Sequence, residues 1–155
     1  MQYLIRLNKE VFPQDPVVCL GSQLKSIVEK LSELMESHVW LAADVDALSP
    51  MPEKLAIDSF QLRKIGDDQL LINLCENIDQ FLSGVFIAVR LNNCKYSELP
   101  IGTEDEQFRS LSLDGVLLEI RAFDTSCFEM YSDDLDLMNT LSKLYKVEIH
   151  RSLPL

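Results

Sequence analysis

The segment of residues 119–134, EIRAFDTSCFEMYSDD, combines two serines, a cysteine and five carboxylates. Carboxylates act as general acids and bases, and a serine or cysteine becomes a nucleophile when a neighbouring base activates it. The sequence offers only two histidines as that base, His38 and His150, and neither lies in this segment. A Cys/His site therefore requires a fold that brings them together, and a surface or capping position is the simpler interpretation of each histidine.

Other short motifs are weak signals of chemistry. SQLK (residues 22–25) matches the S-x-x-K of penicillin-recognising enzymes, but the companion S-D-N and K-T-G motifs are absent, which favours a helix N-cap at Ser22. DVD (residues 44–46) offers oxygens to a divalent cation, although a turn at a strand end fits it better. Zinc-type Cys/His spacings and a glycine-rich phosphate loop are absent. We therefore predict no catalytic residues, no metal and no cofactor, while a glycosidase-type carboxylate pair stays open.

The formal charge of −11 is the main compositional signal. It argues against nucleic acid and against anionic membrane surfaces as partners, because both attract lysine and arginine. The charge is concentrated in residues 103–136, where ten acids and two arginines give −8. This segment overlaps a long irregular stretch, residues 92–115, and long loops are often functional.

The segment 119–134 is interpreted as a β-hairpin followed by a helix start. A three-residue turn at residues 124–126 places apolar side chains opposite each other on one side of the hairpin and opposite charges on the other side. A two-residue turn would mix the two sides. The predicted cross-strand pairs are Ala122 with Phe128, Ile120 with Met130, and Arg121 with Glu129.

Apolar periodicity predicts three helices among several strands. The first helix covers about residues 23–36 behind a cap at Ser22. The second begins at Asp67 or Asp68 and ends at Gly84 as its C′ glycine, and the third covers about residues 133–145 behind Ser132. Strands are predicted at residues 2–7, 38–45, 54–57, 60–65, 85–91, 116–123, 127–132 and 146–150. The predicted fold is α+β: one domain over residues 1–155, with about three helices packed on a mixed, largely antiparallel sheet.

The cysteines and the apolar runs are used to predict the cellular compartment of the protein. No cysteine pair has C-x-x-C spacing, and three of the four lie in apolar patterns, so all are expected to be reduced and mostly buried: Cys19, Cys75, Cys94 and Cys127. The first ten residues carry charges that a signal peptide would not have. The longest clean apolar run, residues 85–89, is too short to span a bilayer. A cytoplasmic protein is expected.

These patterns give three hypotheses of function. The first is a small acidic immunity or inhibitor protein that neutralises a basic partner such as a bacterial toxin. The second is an interaction or assembly module, chaperone-like or homodimeric, and the third is an enzyme with an unrecognised site. For the first hypothesis the acids are predicted to form one partner-binding face, although a solvated rim explains them equally. The predicted partner-binding residues are Glu104, Asp105, Glu106, Arg109, Asp133, Asp134 and Asp136.

Overall fold

Seven strands and three α-helices make up the part of the chain that the computed structural model describes: residues 2–50, 57, 59–92, 100–106, 114–124 and 126–151. A short 3-10 helix, Lys9–Val11, follows the first strand. The strands are β1 (Tyr3–Asn8), β2 (His38–Leu48), β3 (Arg63–Gly66), β4 (Gln80–Arg90), β5 (Val116–Phe123), β6 (Cys127–Ser132) and β7 (His150–Arg151). The α-helices are α1 (Gly21–Leu34), α2 (Asp68–Glu76) and α3 (Leu135–Tyr145).

The strands form one sheet in the order β3-β2-β4-β5-β6-β1-β7, and every pairing between these strands is antiparallel. The α+β prediction is confirmed. All three helices pack on one side of this sheet, where their apolar side chains join those of the strands in a single large core. A smaller cluster on the opposite side lies under residues 100–106 and the segment before β3, through Ile101 and Leu62.

The hairpin prediction is also confirmed. Strand β5 ends at Phe123 and β6 begins at Cys127, and the N–H of Ser126 donates to the Phe123 carbonyl over 2.8 Å. Thr125, in the middle of the turn, lies outside the described residues. The predicted pairs are present: Ala122 with Phe128, Ile120 with Met130, and Arg121 with Glu129.

Two helix caps differ from the predicted ones. Helix α1 begins at Gly21 with Leu20 as its N-cap, and the Leu20 N–H donates to the side-chain oxygen of Gln23 over 3.0 Å. At α3 the cap is Asp134, whose Oδ1 accepts from the Leu137 N–H over 3.0 Å, while Ser132 donates to the Leu117 carbonyl. In both places the N-cap lies two residues from the predicted serine.

The predicted end of the second helix is wrong. Helix α2 ends at Glu76, and Gly84 lies inside β4, opposite Ala122 of β5. The apolar positions from Phe81 onward suit a helix stripe as well as a buried strand, so pairing with β2 and β5 decided between them. Of the weaker strand predictions, only part of 60–65 is in β3, only His150 of 146–150 is in β7, and 54–57 lies outside the described residues except Ile57.

Strand β4 is covered on both sides, because all five residues from Val85 to Val89 are fully buried. Alternate side chains of a strand point to opposite sides of the sheet. Phe86 and Ala88 therefore join the helix-side core, and Val85, Ile87 and Val89 join the cluster on the other side. The sheet is buried on both sides along this central strand.

Gly21 should not tolerate a side chain. A Cβ there would lie 2.1 Å from the Ile78 carbonyl oxygen and 2.4 Å from that of Cys75, and neither backbone atom can turn aside. We expect Gly21→Ala to lower the free energy of unfolding in urea by about 3 kcal/mol, the upper end of the usual overpacking cost. The matched control is Ser22→Ala, which should change it by less than about 0.5 kcal/mol because Ser22 is exposed and is not the cap. Reversed effects of the two variants would contradict this helix start.

Candidate functional site

The side of the hairpin that faces away from the helices carries buried charges. Because Ile120 and Met130 point toward the helix-side core, their neighbours Glu119, Arg121 and Glu129 point to the other side. Glu119 and Arg121 are 0% exposed and Glu129 is 7% exposed. The sequence correctly placed Arg121 opposite Glu129, but it gave no signal that this charged side is covered.

Opposite charges balance each other in this buried network. The Nε of Arg121 lies 3.0 Å from Oε1 of Glu119 on its own strand, and its guanidinium lies 5.2 Å from the ring centroid of Tyr131. Glu129 instead pairs with Arg6 of β1 over 2.9 Å and accepts a hydrogen bond from the Tyr131 hydroxyl. Burial, followed by that hydrogen bond, raises the pKa of Tyr131, which keeps its proton.

The Arg121 guanidinium also holds the backbone of the segment above it. Its Nη1 donates to the carbonyls of Thr103 over 3.3 Å and Asp105 over 2.6 Å, and its Nη2 donates to that of Glu106 over 3.1 Å. Charge-assisted hydrogen bonds of this kind are stronger than neutral ones. Residues 102–106, hereafter the acidic loop, are therefore fixed to the sheet by one buried cation.

Four further hydrogen bonds hold the acidic loop. The carboxylate of Asp105 accepts from the Gly102 N–H over 2.7 Å, and the Asp105 N–H donates back to the Gly102 carbonyl, which closes a tight turn. The Thr103 N–H donates to Asp44 Oδ2 over 2.8 Å, and the Thr103 hydroxyl oxygen accepts from the Gly84 N–H over 3.0 Å. Asp44, the first residue of the DVD motif, thus accepts a hydrogen bond from the acidic loop. No three His, Cys, Asp or Glu residues in the described ranges are placed to hold a metal ion.

The side chains of the acidic loop have unequal freedom. Glu104 and Glu106 are exposed, whereas Asp105 is partly buried by its role in the turn. Arg109, the remaining predicted residue of this region, lies outside the described residues. Beside the loop stands Phe60, an exposed aromatic that sequence reasoning treated only as part of a weak strand pattern. The structure therefore presents two free carboxylates and one ring on a fixed backbone.

The other predicted acids, Asp133, Asp134 and Asp136, lie elsewhere. They surround the start of α3, which packs on the helix side of the sheet, whereas the acidic loop covers the opposite side. The two groups therefore do not share the one face that the sequence suggested. The partner-binding role of each group stays a prediction.

Asp133 and Asp134 line a cleft of about 560 Å³ between the end of α1 and the starts of β5 and α3. Asp114 and Glu36 also line it, and Glu36 pairs with Arg90 over 2.8 Å. This second acidic surface is less suited to a cation than the acidic loop. Arg90 already neutralises one carboxylate, Asp134 caps the helix, and the start of α3 carries the positive end of the helix dipole.

The two histidines do not meet. His38 lies on β2 and His150 on β7, and four strands separate β2 from β7. His38 Nδ1 is 2.6 Å from the Glu36 carbonyl and Nε2 is 2.7 Å from Asp68 Oδ1, an oxygen that also accepts from the Trp40 indole over 2.7 Å. Both ring nitrogens are thus engaged, and the cluster joins the start of α2 to β2.

Cys19 and Cys75 are buried and Cys127 is partly buried; Cys94 lies outside the described residues. Burial raises the pKa of Cys75 to about 12 and also raises that of Cys127, so both thiols should stay mostly protonated near pH 7 and react slowly. In a Cys94→Ser background, we expect iodoacetamide to leave Cys19 and Cys75 unmodified in the native protein, to label Cys127 slowly, and to label all three in urea. Rapid native labelling of Cys75, measured by mass spectrometry, would contradict this packing.

No helix within the described ranges is long and apolar enough to cross a membrane. Comparisons with known proteins find no matching family model, and no curated protein and no solved structure matches at the significance threshold.

Proposed function

We propose that this protein is a non-catalytic binding module that neutralises a basic protein partner through the acidic loop, as a small immunity or inhibitor protein does with a toxin. The observation that carries the proposal is the Arg121 anchor, which bonds three backbone carbonyls of the loop from below. Charged surface residues whose only role is to keep a protein soluble do not need a fixed backbone. An interface benefits from one, because ordering a loop on binding would reduce the affinity.

The negative charge of this protein indicates a cationic partner. A protein of net charge −11 attracts cationic surfaces from a distance, and the two free carboxylates of the loop, Glu104 and Glu106, would meet them at contact. Toxins that act on nucleic acid are cationic around their sites, since they must hold phosphates. A partner of that class, encountered in the cytoplasm, fits the proposal best.

Affinity capture from the native source tests the proposal. The bait is the full chain, as wild type and as the variant Glu104→Lys/Glu106→Lys, with the captured proteins identified by mass spectrometry. The matched control, Glu29→Lys/Glu33→Lys, makes the same change of charge at exposed positions on α1. We expect wild type and control to retain a protein of high isoelectric point that the loop variant loses. Equal retention by all three baits would overturn the proposal.

A further inference from the structure

Phe60 exposes 60% of its surface, the largest fraction among the large apolar side chains of the described residues. Its carbonyl accepts from the Ile101 N–H over 2.7 Å, and Gln61 forms a bridge with Pro100. A methyl group at Gly102 would lie 3.0 Å from both Cδ1 and Cε1 of the ring. The Cδ1–Cε1 edge of the ring therefore lies beside Gly102, the first residue of the acidic loop, while more than half of the residue's surface is exposed.

We propose that Phe60 and the acidic loop together bind an arginine side chain of the basic partner. This inference rests on the proposed function and names the group that the site takes. An aromatic face carries partial negative charge and attracts a cation, and the exposed Glu104 and Glu106 strengthen the negative potential beside it. The guanidinium stacks on the ring while its N–H groups pair with a carboxylate.

Arginine is favoured over lysine because its planar guanidinium both stacks on a ring and forms two parallel hydrogen bonds to a carboxylate. The protein uses the same combination internally. There the Arg121 guanidinium lies over the Tyr131 ring and pairs with Glu119. A single exposed phenylalanine is ordinary on a protein surface, but one seated on a fixed acidic loop has a cation as its complementary ligand.

The test uses hexa-arginine and hexa-lysine peptides as probes and follows the backbone amide NMR shifts of the full-length protein. We expect hexa-arginine to bind more tightly than hexa-lysine, with the largest shifts at residue 60 and residues 100–106. Phe60→Leu and Phe60→Ala should each weaken hexa-arginine binding about two- to fivefold, because both remove the aromatic ring. Phe60→Leu is the sharper test, since leucine keeps an apolar side chain of similar size. Phe60→Trp should bind at least as tightly as wild type. The control Leu70→Ala, at a position 51% exposed on α2, should leave the dissociation constant unchanged.

Each contrary result overturns the inference. Hexa-arginine binding that Phe60→Leu leaves unchanged shows that the ring makes no contact with the cation. Shifts centred on Asp133 and Asp134 place the arginine in the cleft at α3. A dimer that Phe60→Ala converts to a monomer, measured by sedimentation, makes a second copy the occupant of this surface. If Glu104→Lys/Glu106→Lys abolishes partner capture while the Phe60 variants keep wild-type affinity, the proposed function stands and only the arginine inference fails.

Discussion

Arg121→Met is expected to lower the free energy of unfolding by about 3–5 kcal/mol. The substitution removes a cation that pairs with the Glu119 carboxylate, which is 0% exposed, and it removes the Arg121 hydrogen bonds to the carbonyls of Thr103, Asp105 and Glu106. Weakening the pairing of a buried charge and removing hydrogen bonds from backbone groups is costly, because buried groups cannot exchange them for water. Urea unfolding measures the loss, provided that the slope with denaturant matches that of the wild type.

The double variant Glu119→Leu/Arg121→Met distinguishes the contribution of Arg121 to the free energy of unfolding from its role in holding the acidic loop. It removes both charges, so part of the lost stability should return, since an apolar pair often replaces a buried ion pair without net cost. The acidic loop should stay without its Arg121 anchor, because the double variant does not restore the donor to the loop carbonyls. Amide hydrogen exchange at residues 102–106 should therefore be faster in both variants than in the wild type. Unchanged protection of these amides in Arg121→Met would contradict the role of Arg121 as the anchor.

Glu104→Lys/Glu106→Lys is expected to slow association with the basic partner by about tenfold or more. The variant places two cations on the fixed loop, so the approaching partner meets repulsion where the wild type offers attraction. Folding should hardly change, because both side chains are exposed and surface charges contribute about 0–1 kcal/mol each. Surface plasmon resonance with the captured protein measures the rates, and urea unfolding checks the fold.

Asp105→Asn serves as a second comparison for the loop. Asparagine can still accept a hydrogen bond from the Gly102 N–H, so the turn should persist while one charge is lost. Because Asp105 is partly buried, its effect on the association rate should be smaller than that of Glu104→Lys or Glu106→Lys alone. A larger effect at Asp105 would place the contact on the turn itself rather than on the free carboxylates.

The hairpin around residues 124–126 was predictable because side-chain pairing follows a strict two-residue period. Only one turn length kept both sides of the hairpin consistent, and the structure has that register. The α2–β4 boundary was not predictable in this way. Apolar residues continue from Leu70 past Phe81 without a break in the pattern, and pairing with distant strands set where the helix ends.

The candidate site was only partly predictable. Composition pointed to Glu104 and Glu106, and pairing pointed to Arg121, but their connection depends on a loop that returns over the sheet 15 to 18 residues before the arginine. Asp68 likewise forms hydrogen bonds with His38 and Trp40 only because the fold places the start of α2, 30 residues after His38, beside β2. Phe60 had no sequence signal of exposure, because aromatic residues in strand patterns are usually buried.

The most direct test of the proposed function is the association rate of the captured basic protein as ionic strength is raised. Salt screens the attraction between opposite charges, so steering by the acidic loop gives the wild type and the Glu29→Lys/Glu33→Lys control a rate that falls steeply with added salt. The Glu104→Lys/Glu106→Lys variant should begin at a lower rate and change little. Identical rates and identical salt dependence for the three proteins would contradict the account, because the partner would then bind away from the acidic loop.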